Sequence, residues 1–253
     1  EKLAKQVIKL IELHQANDAL KHAQSDLKTK NEELKNFAGV VSHDMKMPLA
    51  NIIVTTDILK AKYAKQLDAQ AIDYLSYLKQ SSFTLSDYIS GLLAHYESDK
   101  VAEAQNESFD IHHLLEEIIE LLNISIDCEL NLPENNLELH CNRAALEQIF
   151  LNLIGNSLKY NDKDQIVITI DAEKKGDAYF FKITDNGMGI PKDKQQAIFD
   201  LFSIVGNTDR DGKKGSGIGL STVKKLVTNL GGMISVTSTP HIGTTFEFTI
   251  VPE

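Results

Sequence analysis

Five apolar residues, Leu13, Leu20, Leu27, Leu34 and Val41, recur every seven positions in a stretch without proline and without glycine before Gly39. A helix turns once in about 3.6 residues, so this period lays the five side chains along one narrow seam. With them at position d, position a holds Leu3, Leu10, Asn17, Gln24, Asn31 and Ala38, and three consecutive a sites are polar. Polar a residues cost stability but fix register and strand number. The spacing predicts a parallel coiled coil of two chains over 1–35, with an amphipathic helix packed on its own chain as the alternative.

The helical pattern continues to about Lys62. A second helix starts near Asp68, an N-cap type, and runs to about Ser98 with Leu75, Leu78, Ser82, Leu85, Ile89, Leu92 and Tyr96 at steps of three and four. Two long helices and a short loop predict an antiparallel hairpin over 36–98. Each helix carries only a narrow apolar stripe, so two copies of the chain forming a four-helix bundle is the expected way to cover both. A polar linker is expected at 99–108.

Beyond it, over 109–253, the pattern becomes mixed. Helical periodicity falls at 111–122, 143–160, 192–201 and 218–230, and strand alternation at 166–171, 178–184, 233–238 and 245–251. The net charge of -10 has the wrong sign for a nucleic-acid binder that uses its overall field. No apolar run approaches the roughly 18 residues of a membrane span. Cys128 and Cys141 form no metal or disulfide pattern, and a reducing compartment is expected.

Three segments of the second half carry chemistry. Asn152, Asn156 and Lys159 share one helix face. Amide oxygens suit a hydrated Mg²⁺, and a lysine nearby can meet phosphate. Asp185-Asn-Gly187-Met-Gly189-Ile190 follows a strand pattern, and its carboxylate can accept from an exocyclic amine. Gly215-Ser-Gly217-Ile218-Gly219-Leu220 opens a helix, where backbone N–H groups suit phosphate oxygens. Each segment alone is weak evidence, readable as helix-face polarity or a tight turn.

In this order and spacing the three segments resemble the ATP-binding domain shared by gyrase-type ATPases, chaperones of that class and histidine kinases. The segment Ala197-Ile-Phe-Asp-Leu-Phe202 is similar to the phenylalanine box of histidine kinases, and Gly243-Thr-Thr245-Phe to their final strand. Phe37-Ala-Gly-Val-Val-Ser42-His43-Asp44-Met-Lys-Met-Pro48-Leu resembles their phosphoacceptor box. On a helical wheel Val41, Met45, Pro48, Ile52, Thr55 and Leu59 form one stripe, which is expected to face the bundle core. His43 lies about 200° away, among Val40, Met47, Ala50 and Val54, an outer apolar patch suited to docking.

The resemblance implies the cytoplasmic core of a sensor histidine kinase: a coiled-coil helix, a hairpin that dimerises, then a two-layer α/β sandwich. It implies ATP and Mg²⁺ as ligands, His43 as nucleophile and Asp44 as its orienting partner. Asn152 and Asn156 would hold the metal and Lys159 would meet phosphate. Tyr160, Phe202 and Thr245 would flank the nucleotide, and Asp185 would read the adenine amine. Gly187, Gly189 and Ile190 would shape the pocket, with Gly215, Gly217, Ile218, Gly219 and Leu220 at the phosphates. Residues 203–214 look like a lid, with Arg210, Lys213 or Lys214 as its basic contact. Asn152 stands where related hydrolysing ATPases carry a glutamate base, which disfavours an ATP-driven clamp. Met47 stands where members with phosphatase activity carry Thr or Asn.

The implied partners are a second copy, the receiver domain of a response regulator and a sensor domain upstream, with no nucleic acid. The implied location is the cytoplasm, as part of a larger, membrane-anchored protein. An ATP-binding signalling scaffold without transfer activity is the alternative.

Overall fold

The structure is a computed structural model that describes residues 2–102, 105–124, 127–206, 208–210, 212 and 215–251. Within α1 and the end of α2 it describes only the backbone at 2–8, 11, 12, 28, 31, 35, 99, 100 and 102, so the side chains of Leu3 and Asn31 lie outside the described set. The first helix, α1 (Lys2–Tyr63), is continuous and contains Pro48. After a turn closed by the Gln66 and Leu67 N–H groups on the Tyr63 carbonyl, Asp68 caps α2 (Ala69–Ala102) by accepting from the Ala71 N–H at 2.7 Å. Thus α2 extends past Ser98 into the expected linker, and strand β1 (Glu107–Asp110) begins only five residues beyond its end.

The face of α1 that meets α2 is not the stripe expected from the wheel. Ala38, Ser42, Leu49 and Thr56 are the buried residues, whereas Met45, Ile52 and Leu59 stay exposed. At 100° per residue the two stripes lie about 75° apart on α1. Small and hydroxyl side chains on the α2-facing stripe let the helices approach closely. The Ser42 and Thr56 positions carry no periodic apolar signal, so the wheel picks out the stripe of larger residues beside this face. The leucine seam is exposed too, with Leu13 at 71% and Leu27 at 68%.

The rest of the chain folds as α3 (Ile111–Leu122), β2 (Cys128–Asn131), β3 (Glu138–Cys141), α4 (Arg143–Lys159), β4 (Ile166–Lys175), β5 (Ala178–Asp185), α5 (Gly219–Asn229), β6 (Ile234–Thr239) and β7 (Gly243–Ile250). The five-stranded sheet runs β2-β4-β5-β7-β6, with β2 parallel to β4 and the other pairs antiparallel, and β1 pairs with β3 apart from it. Alternate residues of β4, β5 and β7, among them Ile168, Phe181, Ile183 and Phe248, face the helices. Phe150 of α4 meets Phe181 and Phe248 edge-on, and those two stack at 4.9 Å. Asp110 and Asn142 cap α3 and α4, accepting from the His113 and Ala145 N–H groups. The fold is a two-layer α/β sandwich joined to a helical hairpin.

The expected helix at 192–201 is absent. Apart from one 3₁₀ turn, Ala197–Phe199, this stretch is turns, and Gln195 donates to the Ile190 and Ser238 carbonyls. Pro191 and the run of polar residues to Gln196 leave no apolar face to bury, so side-chain bonds organise the segment instead of a helix.

Candidate functional site

The strand β5 ends on Asp185, in phase with Phe181 and Ile183, so period two turns its carboxylate toward the helix layer. Three donors hold it. Oδ1 accepts from the Gly187 N–H at 2.9 Å and the Thr244 N–H at 3.2 Å, and Oδ2 from the Ser157 hydroxyl at 3.1 Å. Burial pushes its pKa above the ordinary carboxylate value, and these donors pull the other way. A half-buried carboxylate fixed from behind presents its free lone pairs to a ligand in the cavity in front of it.

That cavity, about 520 Å³, is lined by Asn152, Asn156, Lys159 and Tyr160 of α4 and its end, by Asp185, Gly189 and Ile190, and by Gly215, Gly217, Ile218, Gly219 and Leu220. The three motifs, separate in sequence, therefore converge. Asn152 donates its amide N–H to the Gln148 carbonyl at 2.8 Å, which leaves its oxygen facing the start of α5. A Cβ on Gly219 would stand 2.9 Å from that oxygen. Gly217, at φ +67°, sits where a Cβ would meet the Phe202 carbonyl carbon at 2.6 Å, so the glycine opens the turn into α5. The Tyr160 hydroxyl accepts from the Gly215 N–H. Burial and the charge of Asp209 raise the Tyr160 pKa, which keeps it a neutral phenol.

Two expected residues lie elsewhere. Thr245 pairs its hydroxyl with that of Thr184 at 3.1 Å on the opposite face of the sheet, and its neighbour Thr244, buried and bonded to Asp185, lines the cavity instead. One residue along a strand changes the face, so a motif boundary misread by one position inverts the assignment. Phe202 has φ +64° and is 52% exposed, outside the lining, while Ser203, Ile204 and Val205 belong to it. Gly187 acts through its N–H on Asp185 rather than as a wall. Lys213 and Lys214 lie outside the described residues. Arg210 donates its backbone N–H to the Lys159 carbonyl at 2.8 Å, and its guanidinium lies 3.8 Å from Asp127.

Sequence reasoning missed three sets of residues. Ser157 shares the Asn152–Asn156 helix and could have been found from its spacing. Asn161, fully buried, donates to the Asn186 side-chain oxygen at 2.8 Å, which also accepts from the Val167 N–H, and so ties the end of α4 to the turn after β5. Thr84, Asp87, Tyr88 and Gly91 of α2 form one wall of the cavity, a contact between segments for which no local signal exists.

On α1, His43 and Asp44 are both exposed, at 76% and 70% of their side chains, and His43 Nδ1 lies 3.1 Å from Asp44 Oδ1. A neutral ring that donates its Nδ1 proton to this carboxylate has its Nε2 lone pair free and open to solvent. Around it Val40, Met47 and Val54 are exposed as well.

Residues 141–253 match the family of histidine kinase-, DNA gyrase B- and HSP90-like ATPases. Over 98% of its length the chain is 32% identical to cyanobacterial phytochrome A of Nostoc, and over 92% it is 29% identical to the aerobic respiration control sensor protein ArcB of Escherichia coli. It spans about a third of the length of these relatives, 32% and 30%. Among solved structures, full-length ShkA in complex with AMPPNP superposes with a TM-score of 0.58 at 23% identity, covering 84% of this chain and 45% of that one. The Acinetobacter baumannii histidine kinase AdeS does so with 0.53 at 20%, covering 80% and 94%. At such identities these two establish the fold. Residues 141–253 are thus a domain of this ATPase family, and the relatives that the chain resembles over nearly its whole length are sensor histidine kinases. No helix among the described residues is long and apolar enough to cross a membrane.

Proposed function

We propose that the chain is an ATP-dependent protein histidine kinase that phosphorylates His43 and passes the phosphoryl group to an aspartate of a response-regulator receiver domain. The observation that carries this reading is the exposed His43–Asp44 pair on the same chain as a cavity lined by Asn152, Asn156, Lys159, Asp185 and the glycine segment. Asp185 would accept from the adenine amine, Lys159 and the N–H groups at the start of α5 would receive the phosphates, and Tyr160 would flank the nucleotide. The AMPPNP held by ShkA is consistent with a nucleotide in this fold.

Asn152 and Asn156 offer neutral amide oxygens, a donor set that fits Mg²⁺ shared with phosphate, and no cluster of His, Cys, Asp and Glu at metal-holding distance exists among the described residues. Bound there, Mg²⁺ would neutralise charge on the phosphate oxygens. In the transfer, the His43 Nε2 lone pair attacks the γ-phosphorus, the bond from that phosphorus to the ADP oxygen breaks, and the Nδ1 proton passes to Asp44. Asp44 thus holds the tautomer and takes the proton. Asn152 cannot deprotonate water, so ATP is kept for the histidine. The exposed leucine seam and the Met45–Ile52–Leu59 stripe would be covered by a second copy of the chain.

Incubating the protein with ATP labelled at the γ-phosphate and Mg²⁺ tests the reading. Acid-labile, base-stable label on wild type and none on His43→Ala is expected. No label on wild type would leave the ATP-binding scaffold as the function.

A further inference from the structure

The end of the cavity that holds Asp185 is built where two connections meet, the segment 186–190 after β5 and the turn 240–242 between β6 and β7. Their backbones touch. The His241 N–H donates to the Met188 carbonyl at 2.7 Å, and a Cβ on Gly189 would stand 2.2 Å from the Thr239 carbonyl oxygen. Ser238, near the end of β6, ties the two connections together through one hydroxyl. A hydroxyl has one proton and two lone pairs, and here all three are placed. The Ile190 N–H donates to Ser238 Oγ at 2.8 Å. The Gly243 carbonyl, 2.8 Å away, can only accept, so the Ser238 proton goes there. The Thr244 hydroxyl, 2.9 Å from the same oxygen, is left to donate.

This count fixes the direction of the Thr244 proton. Thr244 lines the cavity beside Asp185, to whose Oδ1 its backbone N–H donates, so its oxygen offers a ligand lone pairs only. The N–H groups of Gly187, Met188 and Ile190 go to Asp185, the Tyr160 carbonyl and Ser238. Asp185 and Thr244 therefore form a pair of neighbouring acceptors. Ser238 is itself held in place. Gln195 Nε2 donates to the Ser238 carbonyl at 2.8 Å and to the Ile190 carbonyl at 2.9 Å, so both protons of one amide fasten the two residues that the Ser238 hydroxyl joins. Both partners are carbonyls, which puts the nitrogen of the Gln195 amide, not its oxygen, at this place.

We propose, resting on the nucleotide reading above, that Ser238, held by Gln195, sets the base specificity of the site by taking the Thr244 proton. A base edge that carries an amine meets two acceptors, whereas an edge with a carbonyl at the same place sets lone pairs against lone pairs. Ser238 does not line the cavity and acts through Thr244, as a positioning residue.

The test compares two nucleotides on the whole chain by titration calorimetry with Mg²⁺: AMPPNP and its inosine counterpart, in which a carbonyl replaces the exocyclic amine. Wild type should favour AMPPNP. Ser238→Ala frees the Thr244 proton for a ligand, and should lower the ratio of the two affinities by roughly three- to tenfold, the size of one hydrogen bond. Ser238→Thr, which keeps the hydroxyl and suits a strand, should hold the ratio near that of wild type. Gln195→Leu, of similar length but without donors, should lower it by less than Ser238→Ala. In a Thr244→Val background, where no hydroxyl proton remains to be directed, Ser238→Ala should leave the ratio unchanged. Both ligands are measured on the same sample, so a loss of folded protein cancels from the ratio. Equal affinities in wild type, an unchanged ratio in Ser238→Ala, or the same fall with and without the Thr244 hydroxyl would each overturn the proposal, while binding of AMPPNP would still uphold the nucleotide reading. No binding of either analogue by wild type would remove both.

Discussion

The two halves of the molecule solve the burial problem differently. In the sandwich, Leu114, Leu146, Ile149, Phe150, Leu153 and Ile168 are fully buried. Among the described residues of the helical half only Ala38, Leu49 and Ile89 are buried apolar residues, and Leu10, Leu20, Phe37, Met47, Tyr77 and Phe83 lie open. A monomeric globule of this mass exposes about 11,000 Å²; this chain exposes 15858 Å². The difference teaches that the sandwich buries its apolar residues within one chain, whereas the hairpin and the N-terminal part of α1 leave theirs open, as the proposed second copy requires.

The sharpest way to break this contrast is to damage the complete half. Phe150→Ala empties the centre of the Phe150–Phe181–Phe248 cluster and should destabilise the sandwich by about 3–5 kcal/mol, read as an earlier transition in chemical denaturation. A far smaller loss would mean that the core is not closed as described. The matching change in the incomplete half, Leu20→Asp with Leu27→Asp, should leave that transition in place and lower the mass seen by light scattering, because it acts on the proposed seam between chains. Unchanged mass would sink the dimer seam.

Asp185→Asn sharpens the contrast inside the sandwich, where function opposes stability. Losing a charge-assisted contact to the adenine amine should weaken AMPPNP binding by about tenfold or more, the equivalent of about 1.5–3 kcal/mol. Stability should move the other way. A carboxylate whose folded pKa is raised above the unfolded value favours the fold most when protonated, below pH 3.8, and that contribution is lost as pH rises through the higher folded pKa. At neutral pH the wild type therefore carries an ionised, partly buried group at a cost, so the variant should melt no lower than wild type, and the gap should close on acidification. A clear loss of melting temperature at pH 7 would refute this. The smallest effect is expected on the hairpin surface, where Lys79→Ala removes the ion pair to Asp57, half-exposed, and should change stability by no more than about 0.5 kcal/mol.

The heptad seam, the hairpin, the Asp185 and Gly215–Gly219 segments and the exposed His43–Asp44 pair were all legible in the sequence, because each depends on local spacing. The face of α1 that packs on α2 was not, since Ala38, Ser42 and Thr56 contribute closeness of approach instead of hydrophobic signal. The short strands β1, β2 and β3, of four residues each, are too brief to show alternation against their surroundings. Thr245 was chosen where Thr244 lines the cavity, because a motif gives the neighbourhood and only the register with Asp185 gives the face.

Periodicity and residue chemistry therefore determined by themselves that this chain is a helical module followed by a nucleotide-type sandwich, and which segments meet at its cavity. The tertiary structure alone decided how they meet: Ser157 behind Asp185, Asn161 against Asn186, and α2 across the mouth of the cavity with Gly91 on Ile218. The physical reason is range. Helix and strand periods are set by neighbours a few residues apart, whereas a contact between residues 91 and 218 depends on how whole surfaces fit, which no local pattern encodes.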